Sequence, residues 1–167
     1  MENKRGKGNT KGCDMIAGLT RLPAIPQMDG EIRLKRAFPG DKEEILTFIT
    51  EHFNKNWTGE AEKAILQEPG KCFIATRKGK LLGFACFDAT AKGFFGPIGV
   101  APEKRGSKIG AALLIRTLEA MRESGYAYAI IGWVDDAERF YRKLVNAEFI
   151  PGGEPENSVY SNLIKME

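Results

Sequence analysis

The clearest periodic stretch of the chain lies between residues 109 and 123. Gly110, Leu113, Leu114, Thr117, Leu118 and Met121 recur at helical spacing, with Arg116, Glu119, Arg122 and Glu123 elsewhere on the wheel. That is a helix packed by one face, and Gly125 supplies its stop. Asp41 with Glu44 has the spacing of a capping box, and Ile45, Phe48, Ile49, His52 and Phe53 share one face behind it. A second helix is expected from Thr58 to about Glu68, ended by Pro69-Gly70. A fourth should follow Asp135 as cap, with Glu138 completing the box and Ala137, Phe140, Tyr141, Leu144 and Val145 facing inward. Asn146 can take the left-handed conformation that closes it.

The strand patterns are shorter. Glu31 to Ala37, Cys72 to Thr76, Leu81 to Asp88, Phe94 to Val100 and the apolar run Tyr126 to Val134 read as strands. Phe149-Ile150 and Val159 to Ile164 are the expected closing strands. The three consecutive strands after residue 71 should be antiparallel. A helical crossover then predicts a parallel pair between residues 94–100 and 126–134. The order is β-α-α-β-β-β-α-β-α-β-β, an α/β fold with a mixed sheet and helices on both faces. Pro97 cannot donate to a sheet ladder, and Gly96 and Gly99 flank it. The parallel pair should therefore splay at its carboxyl ends, where open α/β sheets bind ligands.

Composition alters this picture little: 43% hydrophobic and 28% charged residues in 167 suit one globular domain. Charge alters it more. Lys4, Arg5, Lys7 and Lys11 against Glu2 account for the whole net charge of +3, so the rest of the chain is neutral. A nucleic-acid binder would carry a basic excess on its folded part, and this chain does not. No apolar run approaches the ~18 residues of a membrane span. Cys13, Cys72 and Cys86 have no metal-site spacing and are odd in number, which fits a reducing, cytoplasmic setting. The polar first twelve residues and the proline-stiffened Leu22 to Pro26 predict a flexible or loosely packed arm over residues 1–30 and one domain over 31–167.

Chemistry concentrates after the proline-bearing strand. Arg105, Gly106, Ser107, Lys108, Ile109, Gly110 and Ala111 form a basic, small-residue turn opening a long helix. Unpaired N–H groups and the helix dipole at such a start bind anions, so the turn reads as a phosphate cradle. A plain strand-to-helix connection is the alternative. Neither the phosphate-loop lysine pattern nor dinucleotide glycine spacing is present. Trp57, in the loop between the first two helices, and Asp88, at a strand end, are candidate substrate residues. Each has a structural alternative, as packing lid and strand terminus. Cys86 reads as an inert core thiol, and His52 as a core histidine.

Val100-Ala101-Pro102-Glu103-Lys104-Arg105-Gly106-Ser107-Lys108-Ile109-Gly110-Ala111 resembles motif A of the GNAT superfamily of N-acetyltransferases, and Ala137-Glu138-Arg139-Phe140-Tyr141-Arg142-Lys143 resembles its following motif. The resemblance implies a GNAT-like, mostly antiparallel sheet with splayed central strands. It also implies acetyl-CoA as co-substrate, held by Ile98, Gly99, Val100 and residues 105–111. Tyr141 would be the general acid that protonates the departing thiolate. The implied activity is acetyl transfer to a primary amine, on a small molecule or a peptide, by direct attack on the thioester. The alternative is a non-catalytic acyl-CoA-binding or sensor domain. The chain departs from the family pattern at Lys108, which stands at a glycine position, and it has no acidic residue on Phe94 to Val100. The arm leaves room for a homodimer.

Overall fold

The computed structural model describes residues 9–164. Seven strands and four helices follow in the order β1 (Cys13–Gly18), β2 (Ile32–Arg36), α1 (Lys42–His52), α2 (Lys55–Leu66), β3 (Cys72–Arg77), β4 (Lys80–Phe87), β5 (Phe94–Val100), α3 (Ile109–Glu123), β6 (Tyr128–Val134), α4 (Glu138–Val145) and β7 (Glu148–Phe149). The strands form one sheet in the order β2-β3-β4-β5-β6-β1-β7. Every neighbouring pair is antiparallel except β5 and β6, which are parallel across the α3 crossover. This is the mixed α/β sheet that the periodicity predicts, and it is mostly antiparallel, as the family resemblance implies.

Each sheet face has its own core. Leu113, Leu114, Leu118 and Met121 of α3 and Tyr141 and Val145 of α4 pack with Phe73, Leu82, Phe87, Phe95 and Ile131. On the opposite face, Ile45, Phe48 and Ile49 of α1 and Ala61, Ala64 and Ile65 of α2 pack with Ile74 and Phe84. Alternation along the strands divides the two sets.

The expected loose arm is a correction over much of its length; its first eight residues lie outside the described ones. β1 lies between β6 and β7, burying Cys13, Met15, Ala17 and Leu19. Further along, Leu22 and Met28 pack against the same core. Six residues give too short an alternation to stand out, and Ile16 breaks it by sharing the face of the polar Asp14. That carboxylate is itself buried and accepts the backbone N–H of Trp133 at 2.9 Å, beside a register shift between β1 and β6.

A second correction is linked to the first. Val159 to Ile164 is no strand: Val159–Asn162 is a short 3-10 turn, like Pro155–Asn157 before it. β1 already occupies the edge of β6 that a closing strand would pair with. Ser158 turns the chain through its carbonyl, which accepts from the Ser161 hydroxyl at 2.7 Å, and Val159 and Leu163 stay exposed. A third concerns Asp135, which does not cap α4; Ala137 takes that place without a side-chain bond. Asn146 does end the helix left-handed, at φ 52°.

Candidate functional site: a splayed strand pair and an anion-binding turn

β5 and β6 pair only at Phe94 with Ile130 and Phe95 with Ile131. The pairing stops where Gly96, at φ 116°, and Pro97 follow. The remaining halves of the two strands have no ladder between them, so the gap expected at their carboxyl ends is present. The other edge of β5 stays in register with β4, with Ile98 opposite Ala85, Gly99 opposite Phe84 and Val100 opposite Gly83. Ala101 N–H donates to the Leu82 carbonyl at 2.8 Å. Antiparallel bonding alternates along a strand, so Gly99 directs its N–H to β4, while Ile98 and Val100 direct theirs into the gap.

Gly99 has no room for a side chain. A Cβ there would lie 2.4 Å from the Phe53 ring. Phe53 in turn packs with Trp57 at 5.1 Å and Phe84 at 6.0 Å between ring centroids, making an aromatic cover on the α1–α2 side of β5.

The gap runs directly into the turn. After Val100 comes the 3-10 turn Pro102–Lys104, then Gly106 at φ 84° and Lys108 at φ 67°. The Ser107 hydroxyl donates to the Lys104 carbonyl. No described residue accepts a hydrogen bond from any N–H between Gly106 and Ala111. Six consecutive free donors at the start of a 15-residue helix form a cradle for an anion. Arg105 and Lys108 are exposed beside it. The left-handed φ of Lys108 explains why a glycine suits this position: a side chain there costs strain.

Tyr141 lies where the strands part. Its ring meets Phe95, the last paired residue of β5, edge-on at 6.2 Å, and Phe140 at 5.2 Å. Its hydroxyl bonds no described residue. Burial, aided by the nearby Tyr160, raises its pKa, so the hydroxyl keeps its proton at neutral pH.

Two residues the sequence reading did not single out stand on the other side. The Tyr160 ring lies over Gly132, whose added Cβ would be 2.5 Å from it, and packs with Phe94 and Trp133 at 6.3 and 5.8 Å. Trp133, at φ 51° on the splayed half of β6, is 47% exposed. An exposed tryptophan in an otherwise apolar strand run was the available signal for it. Tyr160 was hidden by the strand reading of its segment.

Other candidates go elsewhere. Trp57 lies in the first turn of α2 rather than in the loop before it, and is half-buried in the aromatic cover against Phe53 and Phe84. Asp88 is not open to a substrate: it is buried, bonded by Lys71 Nζ at 2.7 Å, by the Gly93 N–H at 2.8 Å and by the Tyr126 hydroxyl at 2.9 Å. Burial works to raise its pKa, but those three donors outweigh it and hold the carboxyl below its ordinary value. Asp88 thus anchors the β4–β5 loop. His52 is exposed at the end of α1 and lines a separate cavity of about 420 Å³ with Glu44 and Glu51. Cys86 is fully buried opposite Cys72, and burial raises its thiol pKa well above the ordinary range, as an inert thiol requires.

The matched sequence and the fold agree on a class. The model of the acetyltransferase (GNAT) family matches residues 36–145, and this chain belongs to that family. It is 34% identical over 147 residues, 75% of its own length, to a mycothiol acetyltransferase from Thermobispora bispora. The chain spans about half, 49%, of that relative. A GCN5-related N-acetyltransferase from Sphaerobacter thermophilus superposes with a TM-score of 0.66 at 21% identity, over 83% of this chain and 48% of that one. A GNAT acetyltransferase from Brucella melitensis, solved with acetyl-CoA, covers 67% of this chain and 82% of its own, with a TM-score of 0.50 and 22% identity.

Proposed function

We propose that this chain is an acetyl-CoA-dependent N-acetyltransferase acting on a primary amine by direct transfer. The observation that carries the reading is one continuous surface: six unpaired N–H groups from Gly106 to Ala111, opening onto a gap that Ile98 and Val100 line with two more. A long, thin ligand with an anionic middle fits that surface, and a pyrophosphate on the turn with a pantetheine arm in the gap has this shape. When bound, acetyl-CoA supplies an acetyl group activated as a thioester.

The residues divide the work. Residues 106–111 hold the diphosphate through backbone donors, with Arg105 and Lys108 adding charge. The Val100 N–H is a fixed donor for an oxygen that gains negative charge during transfer, and removing one such donor typically costs ~10²–10³ in rate. Tyr141 presents a protonated hydroxyl at the point where the strands part, the position from which a leaving sulfur can receive a proton. Holding both reactants in one slot removes much of the entropic barrier.

A second reading is a non-catalytic acyl-CoA-binding domain, favoured by the strained Lys108 and by the absence of an acidic residue on β5. Incubating the chain with acetyl-CoA and a panel of primary amines, and reading free CoA thiol, separates the two. Amine-dependent release supports the transferase. Acetyl-CoA binding with no release under any amine supports the binding domain.

The setting belongs to the same proposal. No helix among the described residues is long and apolar enough to cross a membrane, and all three cysteines are free and buried. A reducing compartment keeps such thiols unpaired.

A further inference from the structure

Two arginines on the α3 face of the sheet share one aromatic ring and have no counter-ion. Arg36 ends β2, the edge strand of the sheet. Arg116 lies midway along α3. Their guanidinium carbons stand 4.7 and 4.4 Å from the centroid of the same ring, Phe73. The two heads are therefore separated by no more than the sum of those distances. Phe73 is the cross-strand partner of Arg36 and is buried. A ring face favours each cation singly, but it does not offset the repulsion between them.

Nothing among the described residues neutralises the pair. None of the described ion pairs includes Arg36 or Arg116, and Glu119 and Glu123, on the same side of α3 as Arg116, pair with neither. Arg36 donates to the Gly70 carbonyl. Arg116 Nη1 is buried with no acceptor among the described residues. A charged nitrogen drawn from water without a partner is costly, and a bound anion offsets that cost. Burial and the charge of Arg116 lower the pKa of Arg36, against the opposing effect of Glu123. Both arginines remain half-exposed, and no described strand pairs with the outer edge of β2, so the pair is open to solvent on that side.

We propose that Arg36 and Arg116 form a second anion site, which binds a small doubly charged oxyanion, a phosphate or a dicarboxylate, between β2 and α3. Guanidinium forks match the oxygens of such groups, and two forks match two negative charges. The site is separate from the turn at Gly106 to Ala111. Arg116 lies two helical turns, about 10 Å, beyond the start of α3, and Phe73 stands two strands away from β5. The bound anion bridges the edge strand to the crossover helix, so it acts on stability as well as filling a site. The inference does not depend on the acetyltransferase reading.

The test titrates the full chain, uniformly ¹⁵N-labelled, with inorganic phosphate and separately with succinate, at an ionic strength held constant with sodium chloride. The Nε–Hε signals of Arg36 and Arg116 report the site, and the amides of Gly106 to Ala111 report the turn. At least one anion should shift both arginine signals along a single saturable curve. Its affinity should fall about tenfold or more in Arg36→Gln and in Arg116→Gln. Arg116→Lys keeps the charge and loses the fork, so it should bind between wild type and Arg116→Gln. The same anion should raise the melting temperature of the wild type more than that of either glutamine variant. A response to phosphate alone assigns the site to phosphoryl groups, and a response to succinate alone assigns it to carboxylates. Shifts confined to Gly106 to Ala111, or arginine signals that never saturate, overturn the proposal. An affinity unchanged in both glutamine variants does the same.

Discussion

Tyr141 holds its ring in a buried, aromatic site, and its hydroxyl has no hydrogen-bond partner among the described residues, which leaves it free for the proton donation proposed above. Tyr141→Phe keeps the ring contacts. It should therefore leave acetyl-CoA binding intact while lowering kcat at least tenfold, as steady-state assays with a saturating amine would show. An unchanged kcat with chemistry rate-limiting would remove Tyr141 from the reaction. Lys108 makes the opposite kind of prediction. Its left-handed backbone costs ~1–2 kcal/mol for a residue with a Cβ, and glycine's extra freedom when unfolded returns ~0.5–1 kcal/mol. Lys108→Gly should then raise stability by about 0.5–1 kcal/mol in urea unfolding, with the same slope. The local motif made Lys108 and Tyr141 legible in the sequence. Tyr160 was not, because its surroundings come from Thr90 and Gly132, which lie 70 and 28 residues from it along the chain and touch it only in the fold.

At the scale of elements, β1 carries the largest difference between sequence and structure. Met15 is fully buried between β6 and β7, so Met15→Ala should destabilise by ~2–5 kcal/mol, where an arm would give almost none. The helices were legible because α3 repeats its apolar face for four turns. β1 and the terminal 3-10 turns were not, since a six-residue strand and a two-residue β7 leave almost no period to read. The splay of β5 and β6 was legible from Pro97 alone, because a proline has no N–H to give a neighbouring strand. The β4–β5 loop has its own test. The folded Asp88 carboxyl titrates below its unfolded value, so its stabilisation is complete above about pH 4 and is lost as pH falls through the lower, folded value. Asp88→Asn should cost about 1–3 kcal/mol at pH 7 and show a shallower loss of stability between pH 5 and 2.

For the whole molecule, the neutral body of the chain and its local basic turn point to a ligand whose charge is concentrated at one place. Two cores pack one on each sheet face, and between them the β5–β6 strand pair parts at its carboxyl end. Acetyl-CoA at 100 times its dissociation constant should add about 2.7 kcal/mol to the unfolding free energy. The most direct test of the whole account is a titration of the ¹⁵N-labelled chain with acetyl-CoA, followed by amide ¹H–¹⁵N spectra. The largest shifts should fall on Gly106 to Ala111 and on Ile98 and Val100, with Gly99, whose N–H is committed to β4, moving less. Shifts concentrated at the Glu44–His52 cavity, or none at a saturating concentration, would contradict it.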